Sequence, residues 1–385
     1  MENLFETMKD VFELGTNAVN FVKEIIELTK NSKNSGDGGH LANSGDYGHL
    51  ANSGDYGKLA NSGDYGKLAN SGDGGKLANS GDYGHLANSG YYGKLANSGD
   101  GGHLANSGYG GHLANLGDGG KLANSGDYGK LANSGDYGHL ANSGYGGKLA
   151  NSGDYGHLAN SGDYGHLANS GYYGKLANSG DGGKLESIVE KCVIVSCGLY
   201  DIAKAKKGSW ITLSEYRKNA DENYEIYHVQ TEFVDGIRIK EDVYYTIFEK
   251  QFREFLEIDG IKSAIIERKK NIYKVVNFGE IIESYIVCSN GIYSHGKTIK
   301  EAKESLIYKL SDRDTNKFKS WKLNDVKSKA DLIQCYRAIT GACESVTRYF
   351  CEQRELPDKC TVSEMLEITN GQYGNELNLG FFKEN

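Results

Sequence analysis

Along residues 36–185 one large aliphatic side chain returns every nine residues, and it is always leucine, from Leu41 to Leu185. The unit around it reads G-D-Y-G-K/H-L-A-N-S and occurs seventeen times, with first glycines from Gly36 to Gly180. Nine residues bury nothing alone, so the fixed period predicts units stacked on one another. The array holds no proline, and the chain holds only Pro357. That suits a backbone donating N–H groups from coil to coil. Glycines at fixed offsets predict corners that need positive φ or close approach. The expected fold is a parallel β-solenoid with coils about 4.8 Å apart. Leucine, with glycine or asparagine, faces inward; Lys/His and Asp alternate outward. Two units per coil give a rod of roughly 40 Å and three give a shorter prism; the period permits both. The asparagine columns predict hydrogen-bonded ladders.

Outside the array the pattern changes. Over residues 2–31, Leu4, Met8, Val11, Ala18, Val22 and Ile25 recur at helical spacing with Glu and Lys opposite. This segment is expected to be a helix that caps the first coil, self-associates or lies on a membrane surface. Residues 186–207 keep traces of the repeat with larger hydrophobes and predict a closing coil. From Gly208 the composition is that of an α+β domain. Short strands are expected at Trp210-Ile-Thr-Leu, 224–231, 237–239 and 242–247, with a hairpin at Asp235-Gly236. A second hairpin is expected at Asn290-Gly291. Helices are expected after Thr298, as one longer helix or two from Ser328 to Cys351, and after Thr361 as the last element. The fold class is therefore mainly β, in three parts: a helical segment 1–35, a solenoid 36–207 and an α+β domain 208–385.

Composition narrows the function. Net charge is −8 over 385 residues, which disfavours general nucleic-acid binding outside a local patch. The array carries 13 Asp against 9 Lys, a weak field for a nucleic-acid mimic. Calcium nonapeptides place Asp two residues after a glycine pattern that this unit lacks. Lys and His exchange in one slot, Lys nine times and His eight; Lys offers no lone pair to a metal near neutral pH. No metal or cofactor is expected. Seven cysteines lie outside the array without C-x-x-C spacing, which predicts free thiols in a reducing cytoplasm. No run is long enough to span a membrane.

Two sets of residues could carry function. Cys343 and His295 could form a nucleophile–base pair if the fold joins them. The more extensive set is the charged and aromatic face built by Asp46, Tyr47, Asp55, Tyr56, Asp64, Tyr65, Asp127, Tyr128, Asp136 and Tyr137, since tyrosine favours contact surfaces. The Tyr columns could also bind sugars.

The pattern G-x-Y-x-K-x-A-x-x at period nine, ending in Gly208-Ser-Trp210, resembles repeat proteins of phages and prophages of Gram-positive bacteria. Cys335-Tyr-Arg-Ala-Ile-Thr-Gly-Ala-Cys343 and Thr369-Asn-Gly-Gln-Tyr-Gly374 are similar to the tail end of those proteins. The array more loosely resembles the head repeats of trimeric adhesins, and Ile292 to Leu310 is similar to the hairpin-plus-helix of HicB-type antitoxins. The phage resemblance implies life in a bacterial cytoplasm and supplies no catalytic residues. The function expected is a non-enzymatic binding protein whose rod is a rigid scaffold and whose C-terminal domain recognises a host macromolecule, possible targets including a defence protein. The alternatives are a structural protein that self-assembles through residues 2–31 or the rod, and a cysteine enzyme.

Overall fold

The computed structural model describes residues 33–384 apart from 281, 312, 343–346, 348–349, 352–356 and 372–373. The helix expected over 2–31 and the candidate Cys343 lie outside the described residues. The chain is mainly β, with 42% strand and 14% helix. It divides after Phe252 into two compact units.

The first unit is a parallel β-solenoid with two nonapeptides per coil. Each K/H-L-A-N tetrad is a four-residue strand that pairs in parallel with the tetrad eighteen residues on, as in Leu113 with Leu131 and Leu122 with Leu140. Alternate tetrads therefore form two sheets, one on each side of the rod. One begins His49, Lys67, His85, His103, Lys121, His139, His157, Lys175 and is called here the histidine-rich face. The other, which includes Lys58, Lys76, Lys94, Lys130 and Lys148, is the lysine-rich face.

Leucine and asparagine point inward by strand alternation. From Leu50 to Leu185 the leucines form one continuous core. The asparagines make two ladders. Asn106 Nδ2 donates to Asn124 Oδ1 at 2.8 Å, and Asn124 Nδ2 to Asn142 Oδ1 at 2.7 Å. The same amide also donates to the glycine carbonyl two residues on. A buried amide is tolerable only when its donors and acceptor are used, and the ladder uses them.

The invariant glycines are set by lack of room. A Cβ at Gly108 would meet the carbonyl oxygen of Gly90 at 1.9 Å, and one at Gly111 would meet Asn106 Nδ2 at 2.3 Å. The positive φ expected of them falls instead on the variable residue between the two glycines, Tyr in some copies and Gly in others.

Both ladders end in acceptors that the repeat does not contain. Asn178 donates to the buried Asp201 carboxylate at 2.9 Å, and Asn169 to Cys192 Sγ at 3.4 Å. Every ladder amide donates forward, so the last one needs a group that accepts without an amide to follow it. Asp201 also accepts the Gly183 and Gly198 N–H groups at 2.7 and 2.8 Å.

Residues 184–204 continue the coils, as expected, but the rod does not close at 207. Trp210–Lys218 pairs in parallel with Val193–Ser196 and then antiparallel with Tyr224–Phe233. Ile211, Leu213, Val234, Ile239, Tyr245 and Ile247 extend the same core. The long apolar strands after 207 carry on the sheet because they present β-branched and aromatic residues to the open coil. No strand forms at 237–239; Asp235 Oδ1 accepts the N–H groups of Ile237, Arg238 and Ile239 in a turn. The hairpin in this stretch turns instead at 219–223, around Asn219.

The second unit, from Arg253, holds an antiparallel meander of Ile261–Lys269, Ile272–Asn277, Glu283–Ser289 and Ile292–Gly296. Helix α1 (Ile299–Leu310), capped by Thr298, packs Ala302 and Leu306 on Val287. Helices α2 (Lys329–Thr340), α3 (Val362–Ile368) and α4 (Asn375–Glu384) enclose a second core of Phe318, Leu332, Cys335, Val362, Met365 and Phe382. Helix α2 starts at the expected cap, Ser328, and stops at Gly341, whose φ of 77° ends the helical run. The helix after Thr361 forms but is not the last.

Candidate binding surface

The ten Asp and Tyr positions expected to make one face lie on two opposite corners. Tyr47, Tyr65 and Tyr137 stand at the corner leading into the histidine-rich face, and Tyr56 and Tyr128 at the corner leading into the lysine-rich face. Each coil has two turns nine residues apart, so successive repeats alternate between corners.

At both corners the aspartate is structural as well as exposed. Asp46 Oδ1 accepts the Asp64 N–H at 3.0 Å, Asp55 that of Asp73 at 2.8 Å, and Asp64 that of Asp82 at 2.8 Å. Asp127 accepts from Tyr145 at 2.9 Å, and Asp136 from Asp154 at 2.8 Å. One oxygen of each carboxylate ties its coil to the next, which leaves the other to solvent. Sequence reasoning gave these residues only their surface role.

The tyrosines of the two corners are arranged differently. On the first, Tyr47, Tyr65 and Tyr83 stack with centroids 5.0 and 5.2 Å apart and planes within 11°. Gly101 and Gly119 interrupt the column, and Tyr137, Tyr155 and Tyr173 repeat it at 5.1 Å. Lys191 then stands 5.5 Å over Tyr173. Stacked rings turn their faces to one another and their edges and hydroxyls outward.

On the second corner Tyr56, Tyr92, Tyr128 and Tyr164 alternate with glycines, and each ring lies over the glycine of the next coil. A Cβ at Gly74 or Gly146 would meet the ring below it at 2.8 or 2.9 Å. Tyr109 and Tyr145, standing where other copies have Asp, fill the gaps with rings steeply inclined to their neighbours: Tyr109 is 5.4 Å from Tyr128, Tyr128 is 5.5 Å from Tyr145, and Tyr145 is 5.2 Å from Tyr164, at interplanar angles of 59°, 68° and 53°. The glycine and tyrosine variants that look irregular in sequence are thus complementary between coils.

His295 is not in a polar loop. It lies on the strand Ile292–Gly296, buried, and burial with the nearby Lys309 lowers its pKa to about 4. Lys309 is itself buried, paired with Asp259 and donating to the Tyr293 carbonyl at 2.8 Å. His103 and His157 on the histidine-rich face each lie 4.8 Å from the preceding coil's histidine with the rings tilted by 48°, and burial first, then that neighbour, lowers each to about 4.

Among the described residues no group of three or more His, Cys, Asp or Glu could hold a metal ion, and no helix is long and apolar enough to cross a membrane. No family model, curated protein or solved structure matches the chain.

Proposed function

We propose that the chain is a non-enzymatic binding protein in which the solenoid is a rigid display rod and its tyrosine corners are a contact surface for another macromolecule. One observation carries the reading. Ten tyrosines are held at φ of 55–58° while 42–69% exposed, at a position where other copies have glycine. A left-handed non-glycine residue costs about 1–2 kcal/mol. A ring pair returns about 0.5–1.5 kcal/mol. Glycine would serve the fold as well, so stability does not explain the tyrosines, whereas a display role does.

The rest of the reading is more specific. The C-terminal unit contributes recognition of its own, and the partner is a protein of a bacterial host, such as a defence protein blocked by occlusion. The phage origin behind that choice rests on the repeat resemblance. Sugar binding is less favoured, because the stacked rings cover the faces on which a sugar would lie.

The test is affinity capture from a Gram-positive lysate. Full-length protein is compared with a variant in which Tyr47, Tyr65, Tyr83, Tyr137, Tyr155 and Tyr173 are all changed to glycine, the array's own alternative residue. A partner held by the first and lost by the second supports the reading. No protein above background, or capture indifferent to the six changes, removes the rod from the binding role.

A further inference from the structure

Charges that nearly balance along the array are sorted in space by the two-unit coil. In five successive coils Lys76, Lys94, His112, Lys130 and Lys148 stand in register on the lysine-rich face, all exposed. The corner leading into that face holds only Asp73 and Asp127 over these coils, because Tyr91, Tyr109 and Tyr145 occupy the other aspartate slots. The opposite corner keeps Asp82, Asp100, Asp118, Asp136 and Asp154, and the strands after it contain only Lys121 among histidines. Among the described residues the four lysines make no ion pair. Their field reaches His112, whose pKa is lowered by burial first and then by Lys130 and Lys94. A tyrosine in the aspartate slot has no carboxylate for the next coil's N–H, so it gives up the tie that Asp127 makes at 2.9 Å. Tyr91, Tyr92, Tyr109, Tyr128, Tyr145 and Tyr164 run along this corner as one chain of ring contacts, each 41–60% exposed, with planes inclined by 53–82°. Inclined rings turn faces to solvent, unlike the parallel stacks of the opposite corner.

We propose that this strip binds single-stranded nucleic acid, with phosphates on the lysine column and bases on the tyrosine faces. Proteins that hold single strands combine a cationic track for the backbone with aromatic side chains on which bases stack. Both parts lie side by side here. From Lys76 to Lys148 is four coil steps, about 19 Å. That suits the short end of the roughly 4–16 nucleotides that one single-strand-binding domain covers. A duplex offers phosphates to the lysines but keeps its bases stacked inside, whereas a single strand can splay them onto rings. An acidic protein segment would satisfy the lysines and leave the rings without flat partners. The net charge of −8 is no obstacle, since this strip is locally cationic and the longest run of aspartates lies on the opposite corner. The inference rests on the display reading for this corner alone. The capture test above changes only the other corner's tyrosines, so either reading can fail without the other.

The probe is a fluorescein-labelled oligothymidylate of about 15 nucleotides, titrated with the full-length chain and read by anisotropy. Neutralising four phosphates gives a slope of about −2.8 in log affinity against log salt, so binding should weaken about 50-fold between about 50 and 200 mM salt. Lys94→Glu with Lys130→Glu should weaken it at least about tenfold and flatten that slope. Tyr109→Asn with Tyr145→Asn, which removes two rings and no charge, should weaken it at least about fivefold and leave the slope unchanged. Lys121→Glu with Lys175→Glu, the same change of charge on the histidine-rich face, should leave affinity within about twofold. No binding at about 50 mM salt overturns the proposal. So does a loss at Lys94 and Lys130 no larger than at Lys121 and Lys175. Full affinity without the two rings, or equal affinity for a duplex of the same length, overturns it by reducing the strip to charge attraction. Polyglutamate binding as tightly as the oligonucleotide also overturns it and assigns the strip to an acidic protein segment.

Discussion

The solenoid and the second unit hold themselves together by different means. In the array each residue is fixed by its counterpart eighteen residues away, through leucine on leucine, amide on amide and aspartate on the next coil's N–H. In the second unit, short-range signals define the elements. Asn290 and Gly291 turn a hairpin at φ of 51° and 77°, and Thr361 with Glu364 makes a reciprocal capping box. Dissimilar side chains then fill a core of their own. The repeat sets its invariant glycines by lack of room coil after coil. The second unit does so at Gly296, where a Cβ would meet the Ala302 nitrogen at 2.2 Å, and elsewhere, as at Gly260 and Gly291, needs only a backbone angle.

Glycine substitution should expose this contrast most strongly. Gly108→Ala drives a Cβ into the Gly90 carbonyl, where backbone must move, and should cost about 2–4 kcal/mol. Gly119→Ala in the same rod meets nothing within 4 Å and keeps only the penalty of its left-handed φ, about 1–2 kcal/mol. Gly260→Ala, in the second unit and equally open, should match Gly119→Ala. Urea unfolding of the three variants checks the order. Equal losses at Gly108 and Gly119 would mean that coil spacing does not restrict the invariant glycines.

The contrast also explains what could be read beforehand. The solenoid, the inward leucines and the asparagine ladders follow from a period and from which residues never vary. Two units per coil do not, because an identical nonapeptide fits either count until register is seen. The end of the rod was misread at Gly208 because pairing there depends on long apolar strands that no longer carry the repeat. Asp201 and Cys192 were missed as ladder terminators for a related reason: their role exists only once the direction of the amide chain is known. Among the site residues, Asp46 and its equivalents were legible as exposed but not as ties between coils. His295 looked solvated because Ser and Gly flank it, while the strand places it inside.

Acid should separate the two regions by a smaller margin. Burial, with Lys309, lowers His295 to about 4, below its unfolded value. Its contribution is present above pH 6.5 and is lost as pH falls from 6.5 to 4, in all about 3 kcal/mol from the second unit. In the rod, His103 and His157 act with the same sign and, being less deeply buried than His295, with less weight. Asp201 opposes them. Burial raises it to about 6, so the folded rod binds its proton more readily than the unfolded chain and gains stability as pH falls from about 6 to 4. Trp210 reports the rod and Trp321 the second unit. Melts of single-tryptophan variants at pH 7 and 4.5 should show the larger drop at Trp321, and His295→Gln should flatten it. An unchanged drop in that variant would assign the acid sensitivity elsewhere.

The smallest expected effect bears most directly on why the corners are aromatic. Tyr65 stacks on both Tyr47 and Tyr83 and sits at φ of 58°. Tyr65→Gly gives up two ring contacts, about 1–3 kcal/mol in total. It also releases a left-handed side chain that costs about 1–2 kcal/mol. The two nearly cancel, so the melting temperature should move by no more than a degree or two, against the large drop at Gly108 on the opposite corner. A drop as large as that of Gly108→Ala would make the ring stack part of what holds the rod. Near-neutrality leaves tyrosine and glycine interchangeable for folding, which is how the array already uses them at Gly101 and Gly119, and assigns the choice between them to what the corner touches.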